Sequence, residues 1–148
     1  MWLLASKREL HMRLSIQGVR KGKNDNEPTP KYLLKEIYKE FKIIFDPCPP
    51  NPEFNGLLIP WKKRNYCNPP YSKKIKWIDK ALEEQKKGKL TVMLLPVDTS
   101  TAWFQDKIMP NCEVRWLRGR IKLDNGKNPM YASMLVIFNG KHKVSENT

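Results

Sequence analysis

Apolar side chains recur at helical spacing through the first half of the chain. The segment from Lys31 to Phe41 is predicted to form a helix, because its apolar residues fall on one face. That face comprises Leu33, Leu34, Ile37, Tyr38 and Phe41. Thr29 and Pro30 come directly before it and predict the helix start, with Thr29 as N-cap and Pro30 as the first helical residue.

Two further helices follow from the same pattern. The segment from Ser72 to Lys87 is predicted to be helical, and Gly88 is expected to end it. A third, shorter helix is predicted from Thr101 to Met109. The apolar residues expected to face inward are Ile75, Ile78, Ala81 and Leu82 in the longer helix, and Trp103, Phe104 and Ile108 in the shorter one.

Short apolar runs between the helices predict strands. In chain order these are Ile43–Phe45, Arg64–Cys67, Leu90–Leu95, Val114–Leu117, Arg120–Leu123 and Ser133–Phe138. The first three alternate with helices, which favours parallel pairing. The turn sequence Asp124–Gly126 joins the last two, which are expected to form an antiparallel hairpin at the sheet edge. The pattern therefore predicts an α/β fold, with a mostly parallel sheet flanked by helices and a C-terminal antiparallel hairpin.

The chain of 148 residues has room for one folded domain. We expect a basic extension and linker over residues 1–28, the domain over 29–140 and a polar tail over 141–148. The apolar run Trp2–Ala5 is too short for a signal sequence or a membrane-spanning helix.

The charge is strongly basic, with 28 Lys and Arg against 15 Asp and Glu and a formal net charge of +13. This excess favours a polyanionic partner, either nucleic acid or an anionic membrane surface. A charge that serves only solubility is the alternative that composition leaves open.

Cysteine and histidine usage restricts the chemistry. Three cysteines without a C-x-x-C pair (Cys48, Cys67 and Cys112) argue against a disulfide framework and a structural zinc site. A reducing cytoplasm fits best. His11 and His142 lie near the chain ends, so neither a histidine-based catalytic pair nor a metal site is expected.

The tetrapeptide Asn68-Pro69-Pro70-Tyr71 lies between a predicted strand and a predicted helix, where α/β proteins bind ligands. An exocyclic amine on a purine is a poor nucleophile, because its lone pair is delocalised into the ring. Acceptors aimed at its hydrogens, the Asn68 side-chain oxygen and a carbonyl near Pro69, would stabilise the positive charge that develops on nitrogen. The prolines stiffen the turn, and Tyr71 offers a flat face for stacking. A surface turn without function is the alternative.

Residues near this tetrapeptide are candidates for substrate contacts. Thr99, Thr101 and Trp103 follow an apolar strand and could form one pocket wall, although Trp103 could equally be core. The candidates for phosphate contacts are Lys73, Lys74, Lys76, Arg115, Arg118, Arg120 and Lys122. Of these, Lys73, Lys74, Arg118 and Arg120 are the residues we predict to bind nucleic acid. Cys67 is expected to be a buried apolar filler.

An ordered set of motifs makes most of the chain recognisable. They are D-P-C-P (46–49), N-P-P-Y-S (68–72) followed by Trp77, L-L-P (94–96), T-A-W-F (101–104) and L-R-G-R (117–120). In order and spacing the chain resembles the phage-type DNA N6-adenine methyltransferases over residues 29–138. The resemblance implies a Rossmann-like methyltransferase domain, S-adenosylmethionine as donor and adenine in DNA as acceptor. It also implies a virus or mobile element as source, and therefore the host-cell cytoplasm as the place of action.

The resemblance also assigns roles to residues. It implies that Asn68, Pro69, Pro70 and Tyr71 form the catalytic loop, with Asn68 also touching the cofactor. It places the other cofactor contacts at Thr29, Pro30, Asp46 and Pro47. Most methyltransferases continue the strand before Asp46 with a glycine-rich turn, which is replaced here by the residues Cys48, Pro49, Pro50 and Asn51. Glu53 is the nearest acidic candidate for ribose hydroxyls.

Two alternatives remain open at this stage. The same motif serves enzymes that methylate guanine N2 in RNA or a glutamine amide in protein, and charge favours nucleic acid over protein. A basic nucleic-acid-binding module that has lost the cofactor is the other possibility. Little chain is left for reading bases in the groove, so a very short target, relaxed specificity, or a homodimer or accessory partner is expected.

Overall fold

The computed structural model describes residues 27–129 and 131–140. Its elements are helix α1 (Lys31–Phe41), strand β1 (Arg64–Cys67), a 3-10 turn (Tyr71–Lys73), helix α2 (Lys74–Lys86), strand β2 (Leu90–Pro96), a π-helical segment (Trp103–Ile108), and strands β3 (Glu113–Trp116) and β4 (Ser133–Asn139). Most of the predicted N-terminal extension and all of the tail lie outside the described residues, so the domain boundaries stay a prediction.

The four strands form one mixed sheet in the order β1-β2-β4-β3. β1 and β2 pair in parallel, whereas β4 is antiparallel to both β2 and β3. The α/β class is confirmed, but the prediction of a mostly parallel sheet is wrong. Because β4 opposes both neighbours, β1, β2 and β3 all run in the same direction.

The predicted C-terminal hairpin is also wrong. The segment Arg120–Leu123 forms no strand, and β3 takes its place beside β4. Burial explains the difference, since every residue from Ser133 to Phe138 is buried, which suits an inner strand between two neighbours. The turn itself forms, with the Gly126 amide donating to the Leu123 carbonyl at 3.0 Å.

The predicted strand Ile43–Phe45 is reduced to a single bridge. Phe45 pairs in parallel with Asn65 beside β1, and the Ile44 amide donates to the Arg64 carbonyl. Pairing stops there because Pro47 and the prolines after it lack the amide hydrogen that a ladder needs. Phe45 nevertheless lies beside β1, so the proline-rich loop begins next to the sheet.

Helix α1 has the predicted buried face but a different cap. Pro30 is the N-cap, and no side-chain cap comes from its neighbours. The Thr29 hydroxyl instead hydrogen-bonds with the Tyr66 hydroxyl. The Lys31 amide donates to Asp124 Oδ2 at 3.1 Å, so an acceptor distant in sequence satisfies this helix end.

Helix α2 begins two residues later than predicted, after the 3-10 turn. Its buried residues are Trp77, Ile78, Ala81, Glu84 and Gln85. Ile75, predicted to face inward, is exposed, because at 100° per residue it lies about 120° from the centre of this face. Gly88 has φ +83° and stops the helix as predicted.

The sheet lies between two helical layers, and alternate residues along its strands pack into a hydrophobic core on one face or the other. Val92 and Leu94 pack with α1, whereas Met93 and Leu95 pack with α2 and the π-helical segment. Within residues 27–129 and 131–140, no helix is long and apolar enough to cross a membrane.

Candidate active site

A cavity of about 420 Å³ opens at the carboxyl ends of β1 and β2. Asn68 and Tyr71 line it after β1, and Pro96 and Asp98 line it at the end of β2. The segment between residues 121 and 131 contributes further walls. Asn68 and Tyr71 of the tetrapeptide therefore line a cavity at the strand ends, where α/β proteins bind ligands, whereas Pro69 and Pro70 do not line it.

Asn68 is held in one orientation by the chain just before α1. Its Nδ2 donates to the Glu27 carbonyl at 2.7 Å. The described residues offer no hydrogen-bond partner to Oδ1, so that oxygen can accept from a ligand in the cavity. Pro69 is buried beneath the turn, and Pro70 precedes the 3-10 turn with φ −56°.

Tyr71 is fixed from two sides. Its ring lies edge-on to Tyr131, with 5.6 Å between centroids, and its hydroxyl hydrogen-bonds with the Ser133 side chain. Burial raises the pKa of Tyr71, and the nearby Tyr131 raises it further. The hydroxyl therefore stays protonated at neutral pH, and the ring presents an uncharged aromatic surface.

Trp103 also forms part of the cavity wall, and it is both buried core and cavity lining. Lys74 Nζ lies 5.7 Å from the Trp103 ring centroid and donates to the Tyr71 carbonyl at 3.2 Å. A cation over an indole face is a stabilising arrangement. Lys74 thus joins the turn at Tyr71 to the π-helical segment. Neither Thr99 nor Thr101, proposed from sequence for this wall, lines the cavity, and Asp98 does so instead.

The predicted cofactor residues divide into two groups. Pro30 and Asn68 line the cavity, whereas Thr29, Asp46 and Pro47 do not. Thr29 is linked to the site through Tyr66, the second residue before Asn68. Their predicted contacts with a cofactor stay a prediction.

Asp46 is a partly buried carboxyl at the end of the chain segment beside β1. Burial raises its pKa to about 6, although its Oδ1 accepts a hydrogen bond from the Cys48 amide at 2.8 Å. The Cys48 thiol is hydrogen-bonded to the Cys67 side chain, which lowers the pKa of Cys48. Cys67 is fully buried, which confirms the expected filler role.

The raised pKa of Asp46 predicts a pH-dependent stability difference between wild type and Asp46→Asn. Below pH 4 both carry a neutral side chain and should be about equally stable. As the pH rises from about 4 to 6, the unfolded wild type loses its proton while the folded protein keeps it, so wild type loses stability that the amide variant keeps. The variant should gain about 2–3 kcal/mol relative to wild type. Urea unfolding between pH 4 and 8 measures this, and a constant difference across that range would contradict it.

The predicted nucleic-acid contacts lie near the cavity or on exposed surface. Lys74 lines the cavity, and Lys73, Arg118 and Arg120 are exposed. Arg115, another candidate for phosphate contacts, forms ion pairs with acidic side chains. It pairs with Glu40 at 2.6 Å and with Glu113 at 3.4 Å.

Sequence reasoning missed several residues of the cavity. Those with polar or aromatic groups are Glu27, Ser72, Asp98, Lys127, Asn128, Tyr131 and Ser133. The sequence pattern places Glu27 in the polar linker and residues 127–131 between the two strands of the predicted hairpin. No local motif marks them, because the cavity is formed only when distant segments fold over the strand ends.

Fold and site together define an α/β protein with a ligand cavity at its strand ends, a fixed amide acceptor and aromatic walls. The chain belongs to the DNA N-6-adenine-methyltransferase (Dam) family, whose family model matches residues 19–143. The resemblance stated from the motifs is thereby confirmed.

Two phage proteins illustrate the relationship. The chain is 33% identical over 88 residues to a DNA N-6-adenine-methyltransferase of Escherichia phage T1, which covers 58% of this chain and 37% of the phage protein. It is 34% identical over 106 residues to a DNA N-6-adenine-methyltransferase of Haemophilus phage HP1 (strain HP1c1), which covers 62% and 61%. The chain thus spans less than two thirds of the length of either relative. No solved structure matches it significantly.

Proposed function

We propose that this protein transfers a methyl group from S-adenosylmethionine to the N6 amino group of adenine in DNA. Family membership supports the reaction, and both phage relatives bear the name of this activity. The observation that carries the proposal is the fixed Asn68 amide, whose Oδ1 is available at the cavity. The net charge of +13 suits a polyanionic substrate.

Asn68 would act on the amine itself. With Nδ2 bonded to Glu27, its Oδ1 accepts a hydrogen from the exocyclic amine, and a loop carbonyl near Pro69 accepts the second. Both acceptors favour the positive charge that nitrogen gains as it attacks, so they stabilise the transition state more than the ground state. The prolines keep the carbonyl from swinging away. No covalent enzyme intermediate is needed.

The aromatic walls would hold the base. Tyr71 and Trp103 line the cavity and can enclose a planar heterocycle that has left the DNA helix. The hydrogen bond between Tyr71 and Ser133 and the link from Lys74 to the Tyr71 carbonyl fix the tyrosine before substrate arrives. Such preorganisation places the amine without further ordering cost.

The buried carboxyl of Asp46 would suit a cationic cofactor. S-adenosylmethionine, when bound, supplies a methyl group on a positively charged sulfur. Asp46 has a raised pKa, because its carboxyl is buried and the contacts described for it include no cation. A ligand with an ammonium group beside Asp46 and Pro47 would remove that cost. Pro30 and Asn68 would contact the same ligand from the cavity side, and Thr29 would support them through Tyr66.

The domain type, the cellular location and a partner for target recognition are part of the same proposal. The common direction of β1, β2 and β3 and the helices on both faces suit a Rossmann-like methyltransferase domain. We place the reaction in the host-cell cytoplasm, where the three free cysteines would stay reduced. A second copy or an accessory protein that extends target recognition stays a prediction.

The acceptor class can be tested by competition. Purified protein is incubated with labelled S-adenosylmethionine and equal masses of unmethylated DNA, RNA and a mixed protein extract, and the label in each is counted. The proposal expects label in DNA only. Label in RNA or protein would assign the same chemistry to another planar amine. Absence of label, together with absence of cofactor binding by calorimetry, would favour an inactive binding module.

A further inference from the structure

Trp116 is a large aromatic residue that the fold leaves on the surface. Its side chain is 58% exposed at the end of β3. Because β3 runs in the same direction as β1 and β2, its carboxyl end lies on the same side of the sheet as the carboxyl ends of β1 and β2, where the cavity is found. The strand register places Trp116 opposite Met134, and the residue before Met134, Ser133, lines the cavity. The exposed indole therefore lies at the same end of the sheet as the candidate active site, although it does not itself line the cavity.

The indole is supported by other aromatic rings on its inner side. Its centroid is 6.2 Å from that of Phe104, with the rings tilted by 42°. Phe104 is in turn 6.2 Å from Trp103, which forms the cavity wall. These three residues, called the aromatic row below, lead from the cavity to the surface. Phe104 and Trp103 are buried, so the free face of Trp116 is the part of the row that a ligand outside the cavity can reach.

Positive charge follows Trp116 directly. Arg118, Arg120 and Lys122 are all exposed. Among the ion pairs found within residues 27–129 and 131–140, none involves these three side chains, whereas Arg115 pairs with Glu40 and Glu113. Arg120 makes one weak contact, to the Pro129 carbonyl at 3.4 Å. Exposed guanidinium groups close in sequence to an exposed aromatic ring suit a nucleic-acid strand, whose phosphates and bases alternate.

We propose that Trp116 stacks on a base of the DNA strand next to the target adenine, while Arg118 and Arg120 contact the phosphates of that strand. This inference rests on the proposed function and adds an interaction surface to it. Withdrawal of one base from a duplex leaves its neighbours partly unstacked, and an aromatic ring can replace the lost stacking. The same surface would bring the target to the cavity mouth.

The test is the affinity for a fluorescently labelled duplex, measured by polarisation with S-adenosylhomocysteine present. Trp116→Ala should weaken binding about ten-fold, as expected for the loss of one base–aromatic stack. Trp116→Phe keeps a ring and should bind within about three-fold of wild type. The matched control is Ile44→Ala, which removes an apolar side chain that is 65% exposed near the opposite end of β1. Thermal melting of each variant checks the fold.

The arginines are tested by salt dependence. Arg118→Gln should reduce the slope of log Kd against log salt concentration by about 0.9, whereas Lys86→Gln, an exposed charge at the end of α2, should leave it unchanged. If wild type binds and methylates DNA but Trp116→Ala binds as tightly as Ile44→Ala, this inference fails and the proposed function stands. If wild type neither binds nor methylates DNA, the proposed function fails first.

Discussion

Replacement of Asn68 by alanine should lower the rate of methyl transfer by about 10²–10³-fold, the usual cost of losing one preorganised group that stabilises transition-state charge. The residue lines the cavity, and its Nδ2 is already committed to the Glu27 carbonyl. The substitution removes the side-chain acceptor for the amine, together with the hydrogen bond to the Glu27 carbonyl. The measurement is kcat with saturating DNA and cofactor.

One further variant and one binding measurement separate the acceptor role of Asn68 from a general effect of cavity polarity. Asn128→Ala removes the same amide group from another part of the cavity lining and should change kcat by less than about ten-fold. Asn68→Ala should also keep the affinity for S-adenosylhomocysteine within about ten-fold of wild type. Near-normal turnover by Asn68→Ala would disprove the assigned mechanism.

The second large effect is expected on stability, from Gly56→Ala. A Cβ at Gly56 would lie 1.9 Å from the Pro47 carbonyl oxygen and 3.1 Å from the Trp77 ring. The carbonyl of Gly56 also accepts a hydrogen bond from Trp61 Nε1 at 2.7 Å, which fixes the loop on the core. The clash is with backbone, so a rotamer change cannot relieve it. We expect a loss of about 3 kcal/mol or more in the free energy of unfolding.

The control for Gly56→Ala is Gly88→Ala. An added Cβ at Gly88 meets nothing within 4 Å, although φ is +83°. Its cost should be about 1–2 kcal/mol, from left-handed backbone strain alone. Urea unfolding measures both variants. Equal costs for the two would show that the close approach of Gly56 to Pro47 is not rigid.

Gly56 also bears on the missing glycine-rich turn. The sequence has no glycine directly after Asp46, where most methyltransferases have a glycine-rich turn. The structure shows a different close approach, in which Gly56 packs against the Pro47 carbonyl. Local sequence could not reveal it, because the two residues meet only through the fold of the proline-rich loop.

Helix and strand positions were predictable where burial follows a simple period. The buried residues Leu33, Ile37 and Phe41 recur at helical spacing, and the apolar run Leu90–Leu95 became part of β2. The order in which the strands pair was less predictable. β4 is buried along both faces and lies between β2 and β3, whereas its sequence neighbour Arg120–Leu123 looked equally capable of pairing with it.

The candidate site was predictable only where one motif carries the chemistry. Asn68 and Tyr71 were identified from their residue types and from their position between strand and helix, and both line the cavity. Glu27, Asp98 and Tyr131 were missed, since each comes from a loop whose position is set by tertiary contacts. The orientation of Asn68 depends on a main-chain carbonyl, which no side-chain pattern encodes.

The central claim is that this protein methylates adenine N6 in DNA. The most direct measurement is mass spectrometry of nucleosides from unmethylated plasmid DNA, after incubation with the purified protein and S-adenosylmethionine. We predict N6-methyldeoxyadenosine with wild type and, after the same incubation time, about 10²–10³-fold less with Asn68→Ala. Only unmodified deoxyadenosine after incubation with a folded wild-type protein that binds the cofactor would contradict the claim.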